Sequence, residues 1–158
     1  MKIEYSTDKK IRPEELLVLA ETQGWGNSRP AERNARAISG SIFIASARCN
    51  GQLIGILRLV GDGAYCLHIA DFIVKPKYQK IGIGTKLLEM CLEYAKKVRI
   101  GIGDNIGEFT LFANISADKF YEKFGFLSAP NGMVLTSSEK RKGIETEFNR
   151  QLIKERKR

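Results

Sequence analysis

A change of hydrophobic period between residues 64 and 98 constrains the fold of this 158-residue chain most strongly. Ala64 to Val74 is an apolar run that predicts a strand, and Gly82 to Val98 carries apolar residues at helical spacing on one face, which predicts an amphipathic helix. Glu108 to Ala113 again has strand character. Because two strands joined through a helix run parallel with a right-handed crossover, the sequence predicts one β-α-β unit.

The segments before this unit predict antiparallel pairing. Asn50-Gly51, a strong hairpin signal, separates the strand-like segments Ile42–Cys49 and Gln52–Val60, and Gly61-Asp62-Gly63 makes a second tight turn. Further elements are expected as a strand at 2–6, helices at Pro13–Thr22, Pro30–Ile38 and Ser116–Phe124, and closing strands at Phe126–Ala129 and Met133–Ser137. The expected fold class is α/β (α+β): a mixed, mostly antiparallel sheet with one parallel β-α-β step, flanked by helices. We expect one domain over residues 1–158, with 137–158 as a basic C-terminal tail.

Composition excludes several classes of protein. No segment approaches the roughly 20 apolar residues of a membrane span, and no signal peptide is visible, so we expect a cytoplasmic protein that does not enter a membrane. Three cysteines (Cys49, Cys66, Cys91) and one histidine fit neither a disulfide framework nor a zinc site, so buried free thiols and no metal are expected. The net charge of +8 attracts polyanions, either nucleic acid or a phosphorylated cofactor.

The turn Gln79–Thr85 leads directly into the predicted long helix. Unpaired N–H groups at a helix start bind phosphate, and glycines at 82 and 84 let an anion approach the main chain. Four lysines add positive charge around the turn: Lys75, Lys77, Lys80 and Lys86. Leu87 stands where a dinucleotide motif needs a third glycine, and Thr85 follows Gly84 where a P-loop needs lysine. From the residues alone, a phosphate cradle and a plain glycine-rich turn remain open alternatives.

Two motifs resemble those of one enzyme family. Gln79-x-x-Gly82-x-Gly84 resembles the Q/R-x-x-G-x-G/A motif of the GNAT superfamily of acyl-CoA-dependent N-acyltransferases. The segment from Asn114 through Ala117 and Tyr121 to Phe126 resembles the N-x-x-A-x-x-x-Y-x-x-x-G-F motif of the same family. Both occur in the family's order and spacing, and the resemblance covers residues 42–137.

The resemblance implies how acetyl-CoA, the acetyl donor, is bound. It implies that two parallel strands splay apart, and that backbone groups near Ile73 and Val74 pair with the pantetheine arm. Asn114 and Tyr121 are implied as further contacts to this cosubstrate. The implied pyrophosphate contacts are the amides of Gln79, Lys80, Ile81, Gly82, Ile83, Gly84 and Thr85.

The resemblance also implies direct attack of an acceptor amine on the thioester. Tyr121 matches the family's acid position, since a phenol can protonate a departing thiolate; the alternative is a core aromatic beside Phe120 and Phe124. The general base is open between His68, Asp71 and water. His68 titrates near neutrality, and Asp71 lies in an apolar run where an unpaired carboxylate would be costly, so its alternative is a structural hydrogen bond. The two have opposite parity, so only a strand with a bulge can present both to one cleft.

The acceptor is expected to be a primary amine on a small molecule. Trp25 and Asp71 are the expected substrate-binding residues; Trp25 is alternatively a core residue, and the early arginines Arg29, Arg33 and Arg36 either bind an anionic group or face solvent. One alternative is a protein lysine or N-terminal acetyltransferase, and another is a non-catalytic module that binds acetyl-CoA or nucleic acid. Homodimerisation is implied by relatives, and the basic tail supports nucleic acid only weakly.

Overall fold

The computed structural model describes residues 2–25, 29–99, 109–113 and 117–128. The chain divides into two compact units, residues 1–112 and residues 113–158. The second unit contains α4 (Asp118–Glu122). The elements of the first unit are β1 (Ile3–Ser6), α1 (Pro13–Glu21), α2 (Ala31–Ser39), β2 (Phe43–Cys49), β3 (Gln52–Gly61), β4 (Leu67–Val74), a 3-10 turn (Pro76–Tyr78), α3 (Ile83–Arg99) and β5 (Phe109–Leu111).

The five strands form one sheet in the order β1-β2-β3-β4-β5. The first three pairings are antiparallel, and β4 pairs with β5 in parallel across the α3 crossover. The β2–β3 hairpin turns at Asn50 (φ 48°) and Gly51 (φ 75°), the left-handed conformations that an Asn-Gly turn favours. The predicted mixed sheet with one parallel step is therefore confirmed.

Helices cover both faces of the sheet, and the pairing register shows which side chains meet each of them. One face carries α1 and α2 and holds a buried cluster: Ile11, Leu16, Leu19, Ala20, Ile38, Ile44, Leu53, Ile56 and Ile73. The other face carries α3, where Phe43 of β2 stacks on Tyr94 with ring centroids 4.6 Å apart. β3 is buried along most of its length because its side chains contribute to both layers.

The first turns of α3 lie close against β3 because residue 55 is glycine. A Cβ at Gly55 would meet Cδ1 of Leu87 at 3.2 Å and Cγ2 of Ile83 at 3.4 Å. Both side chains are buried. This close approach fixes where the helix begins relative to the end of β4.

The strand β4 starts later than the sequence predicted. Asp62 Oδ1 accepts hydrogen bonds from the N–H groups of Ala64 (2.8 Å) and Cys66 (2.9 Å), which holds residues 62–66 in a turn, and the strand begins at Leu67. Cys66 is exposed in this turn, so the prediction of a buried thiol is wrong there, whereas Cys49 and Cys91 are buried.

The described part of the second unit, residues 113 and 117–128, has less regular structure than predicted. The helix expected over Ser116–Phe124 covers Asp118–Glu122, and residues 126–128 are not in a strand. The closing strand Met133–Ser137 and the basic tail lie outside the described residues. No helix in the described segments combines the length and the apolar character needed to cross a bilayer.

Candidate active site

The last residues of β4 form an edge of the sheet. β5 pairs with β4 only at Leu67↔Phe109, His68↔Thr110 and Ile69↔Leu111, and within the described residues β4 continues to Val74 beside β3 alone. The motif resemblance implies an opening between parallel strands at this edge.

Hydrogen-bond alternation shows which β4 groups face the opening. The N–H of Lys75 donates to the carbonyl of Ile54 at 2.9 Å, so Lys75 and Ile73 direct their main-chain groups toward β3 and Val74 directs its groups away. The carbonyl of Val74 accepts a hydrogen bond from Gln79 Nε2 at 2.9 Å. The geometry thus supports Val74 as a pantetheine contact and argues against the main chain of Ile73 in that role.

A turn with two left-handed residues joins the end of β4 to α3. Lys80 has φ 63° and Gly82 has φ 89°, and the N–H of Lys86 donates to the carbonyl of Gly82 at 3.0 Å as α3 begins. The N–H groups of Gly82 through Thr85 therefore have no acceptor within the helix and lie at its positive end. Left-handed residues at alternate positions turn successive N–H groups toward one concave side, the geometry that binds a phosphate.

The candidate phosphate-binding groups of this turn are main-chain N–H groups, because the side chains have other contacts or are exposed. Gln79 uses its amide on Val74, Ile83 is buried against Gly55, and Ile81 is 54% exposed. Because glycine adopts φ 89° without strain and nothing lies within 4 Å of a Cβ built on Gly82, the backbone conformation rather than close packing requires glycine there.

The strand β4 contains a bulge at Ala70. Its register with β3 steps from Arg58↔Asp71 to Leu59↔Ile69, so Ala70 is an extra residue. Arg58 and Leu59 point to opposite faces of the sheet, and so do their partners. His68 and Asp71 consequently share the face that carries α1 and α2, as the bulged alternative predicted.

His68 is held by a residue that sequence reasoning missed. Its Nδ1 lies 2.8 Å from Thr110 Oγ1 on β5, and its ring centroid lies 5.3 Å from that of Phe112. Burial lowers the pKa of His68, which keeps the imidazole neutral at neutral pH. A hydroxyl residue in the middle of an otherwise apolar strand was the available signal for Thr110.

Asp71 is buried in an ion-pair cluster. Oδ1 accepts a hydrogen bond from Arg29 Nη2 at 2.7 Å, and Oδ2 accepts one from Arg58 Nε at 2.6 Å. Burial alone raises the pKa of Asp71, but the hydrogen bonds and charges of Arg29 and Arg58 outweigh it and hold this pKa below its ordinary value. Because both oxygens are engaged on cations, the geometry argues against Asp71 as general base or direct substrate contact. A structural hydrogen bond was the predicted alternative role for Asp71, and the sequence analysis did not name the two arginines that are its partners.

The segment before α2 brings Trp25 and Arg29 to the same region. Trp25 is half-buried against the α1/α2 cluster, and the Arg29 Cζ lies 5.2 Å from the centre of its ring. Buried Asn34 donates to the carbonyls of Pro13 (3.1 Å) and Arg29 (3.3 Å), which fixes the start of α2. Of the other early arginines, Arg36 pairs with Glu32 at 3.0 Å on the exposed side of α2.

The second unit carries the remaining predicted residues. On α4 the ring of Tyr121 lies 5.3 Å from that of Phe120 and 5.9 Å from that of Phe126, both edge-on. Burial raises the pKa of Tyr121, which keeps the phenol protonated. Asn114 lies outside the described residues.

One groove on the surface of the first unit lies away from these residues. It measures about 520 Å³ and runs between α1 and the β2–β3 hairpin. Its lining is Arg12, Glu14, Glu15, Val18, Gly51, Gln52, Leu53 and Lys75. Only Lys75 borders the α3 turn, so we do not assign the groove to the reaction. Among the described residues, no group of three or more His, Cys, Asp or Glu side chains is arranged to hold a metal ion.

Solved structures share this architecture. The GNAT-family acetyltransferase SP0256 of Streptococcus pneumoniae TIGR4 aligns with a TM-score of 0.71 and 26% identity over 87% of this chain and 99% of that chain. The PaiA N-acetyltransferase of Thermoplasma acidophilum, solved in complex with coenzyme A, aligns with a TM-score of 0.65 and 22% identity over 84% and 94% of the two chains, which shows likeness of fold.

Sequence comparison gives the same family. The chain is 31% identical over 140 residues to the histone acetyltransferase TAP1 of Glycine max; the match covers 82% of this chain and spans 58% of that relative's length. The sequence model of the Acetyltransferase (GNAT) family matches residues 11–126. With that match over most of its length, and with a β-α-β step opening beside a glycine-rich helix start, the chain belongs to the GNAT family of N-acetyltransferases.

Proposed function

We propose that this N-acetyltransferase moves the acetyl group of acetyl-CoA to the primary amine of a small molecule. The observation that carries the proposal is the left-handed turn at Lys80 and Gly82, which joins the part of β4 that continues beyond its pairing with β5 to the start of α3. Acetyl-CoA, when bound, supplies an activated acetyl thioester.

The binding residues proposed for the donor lie along this edge. The N–H groups from Lys80 to Thr85 bind the pyrophosphate, and nearby lysines add positive charge. The N–H of Gln79 is left out of this set because it donates to the carbonyl of Pro76 at 3.2 Å. Val74 directs its N–H to the pantetheine arm. Asn114 keeps the cofactor role implied by its motif.

We assign the general base to His68. Its imidazole is neutral at neutral pH, as a base requires. In the tautomer that this role requires, Nδ1–H donates to Thr110 Oγ1, and Nε2 carries the lone pair that accepts a proton from the acceptor ammonium. Water remains the alternative base.

Tyr121 is the proposed acid. Its raised pKa keeps the hydroxyl protonated, and the same phenol gives its proton to the departing thiolate. Phe120 and Phe126 fix the ring on either side.

A small acceptor is supported by the crowding on the α1/α2 face. Trp25 packs on the core and Arg29 is paired with buried Asp71, so two large side chains border this face next to the bulge. The relative named a histone acetyltransferase supports the second candidate, a protein lysine acetyltransferase.

The test is a screen of small amines and lysine peptides with acetyl-CoA, followed by thiol release. We expect turnover of small amines and a rate that rises with pH through an ionisation below the ordinary imidazole pKa. His68→Gln should lose this ascending limb. Retention of the limb in the variant would assign the base to water, and turnover of peptides alone would establish the second candidate.

A further inference from the structure

The cluster of Arg29, Arg58 and Asp71 is unbalanced in charge. Two guanidinium groups share one carboxylate that is 1% exposed. Within the contacts described around it, the cluster therefore carries one positive charge in excess in a poorly solvated place. A buried excess charge attracts an opposite charge more strongly than an exposed one does.

The two arginines differ in what surrounds them. Arg58 is 8% exposed, and its Nη1 donates to the carbonyl of Ala37 and to Ser41 Oγ, both at 2.8 Å. It is fixed by protein groups. The Arg29 side chain is 23% exposed and lies over Trp25, so its guanidinium reaches both the buried carboxylate and solvent. The excess charge is accessible through Arg29.

The position of Arg29 connects this charge to the reaction. Asp71, its partner, directly follows the Ala70 bulge, where β4 loses β5, and shares a sheet face with His68. A group bound by Arg29 would thus lie on the side of the sheet from which an acceptor reaches the base. A guanidinium edge recognises a planar carboxylate through paired hydrogen bonds.

We propose that Arg29 binds a carboxylate of the acceptor, so that the acceptor is a small amino acid-like molecule bearing both an amine and a carboxylate. This inference rests on the proposed function of the same site. The excess positive charge disfavours acceptors with a second cationic group, such as polyamines, which enter the same space with like charge.

The experiment compares acceptors matched except for the carboxylate: phenylalanine with phenethylamine, tryptophan with tryptamine, and 5-aminopentanoate with pentylamine. In the pair that is used best, the carboxylated member should have a kcat/KM about tenfold to a hundredfold higher, the range of a charge-assisted hydrogen bond. Arg29→Gln should remove this preference by raising the KM of the carboxylated member, and it should leave kcat/KM of the member without a carboxylate within about threefold. Arg36→Gln, in an exposed pair on α2, is the matched control and should change neither.

Two further readouts separate recognition from folding. Coenzyme A affinity and turnover of the amine without a carboxylate should survive Arg29→Gln, because Arg58 still holds Asp71. A preference of the wild type for amines without a carboxylate, or an equal loss of both acceptors in the variant, would overturn the assignment to Arg29. Coenzyme A binding with no transfer to any amine or peptide would instead refute the proposed function, and this inference with it.

Discussion

Gly82→Ala tests the main-chain cradle at its most constrained residue. Gly82 has φ 89°, and nothing lies within 4 Å of an added Cβ, so alanine meets no protein atom but is held in a conformation that disfavours L side chains by about 1–2 kcal/mol. The turn is at the surface, so in the free variant it can relax out of this conformation. Binding of coenzyme A must then restore it, and the dissociation constant should rise about 5- to 30-fold.

Gly63→Ala is the matched control for this prediction. Gly63 has φ 75°, also has nothing within 4 Å of an added Cβ, and lies in the turn before β4, at the other end of the strand from the cradle. Titration calorimetry with coenzyme A at fixed ionic strength should show weakened binding for Gly82→Ala and wild-type binding for Gly63→Ala. Equal affinity in the wild type and both variants would refute a diphosphate site on these amides.

Two further predictions concern stability and acid catalysis. Hydrogen bonds from Arg48 lower the pKa of Glu15 from 4.5 to about 2, so Glu15→Gln should lose about 3 kcal/mol of unfolding free energy at pH 7. Because the pKa of Glu15 is depressed in the folded state, this contribution is complete above pH 4.5 and is lost as the pH falls toward 2. Urea unfolding at pH 7 and pH 3 should show that the difference in unfolding free energy between the wild type and Glu15→Gln narrows at the lower pH, with exposed Glu14→Gln as the control. A difference that does not change with pH would contradict the ion pair. Tyr121→Phe keeps the ring contacts and removes the proton, so kcat should fall about a hundredfold or more while coenzyme A affinity stays within about threefold. An unchanged kcat would remove Tyr121 as the acid.

The features that were predictable depend on local chemistry. The hairpin at Asn50-Gly51 and the start of α3 after Gly82 follow from residues that adopt left-handed conformations at small cost, so the signal lies in two or three adjacent letters. The parallel crossover was also predictable, because the amphipathic pattern of α3 lies within one continuous segment of the sequence. These elements place the turn at 79–85 directly before α3, as predicted.

The features that were missed depend on distant pairings. Asp71 meets Arg29 across 42 positions and Arg58 across 13, and no local pattern marks either partner. The partner of His68, Thr110, follows from the parallel register of β4 and β5, which the sequence does not specify. Nothing in the residues around Gly55 marks its close approach to Leu87, which lies on a different element.

The bulge at Ala70 also determines which changes the strand can tolerate. If Ala70 were deleted and Asp71 kept its pairing with Arg58, every residue of β4 before the deletion would move to the opposite face of the sheet. The imidazole of His68 would then face α3, and its apolar neighbours would take its place on the face that carries α1 and α2. Substitutions in β4 alter one contact each, whereas removal of this single alanine would exchange the two faces of half the strand. A sequence alignment of β4 with a homologous strand that lacks the bulge therefore needs a gap at Ala70. Without that gap, His68 would be aligned with a residue on the opposite face of the sheet.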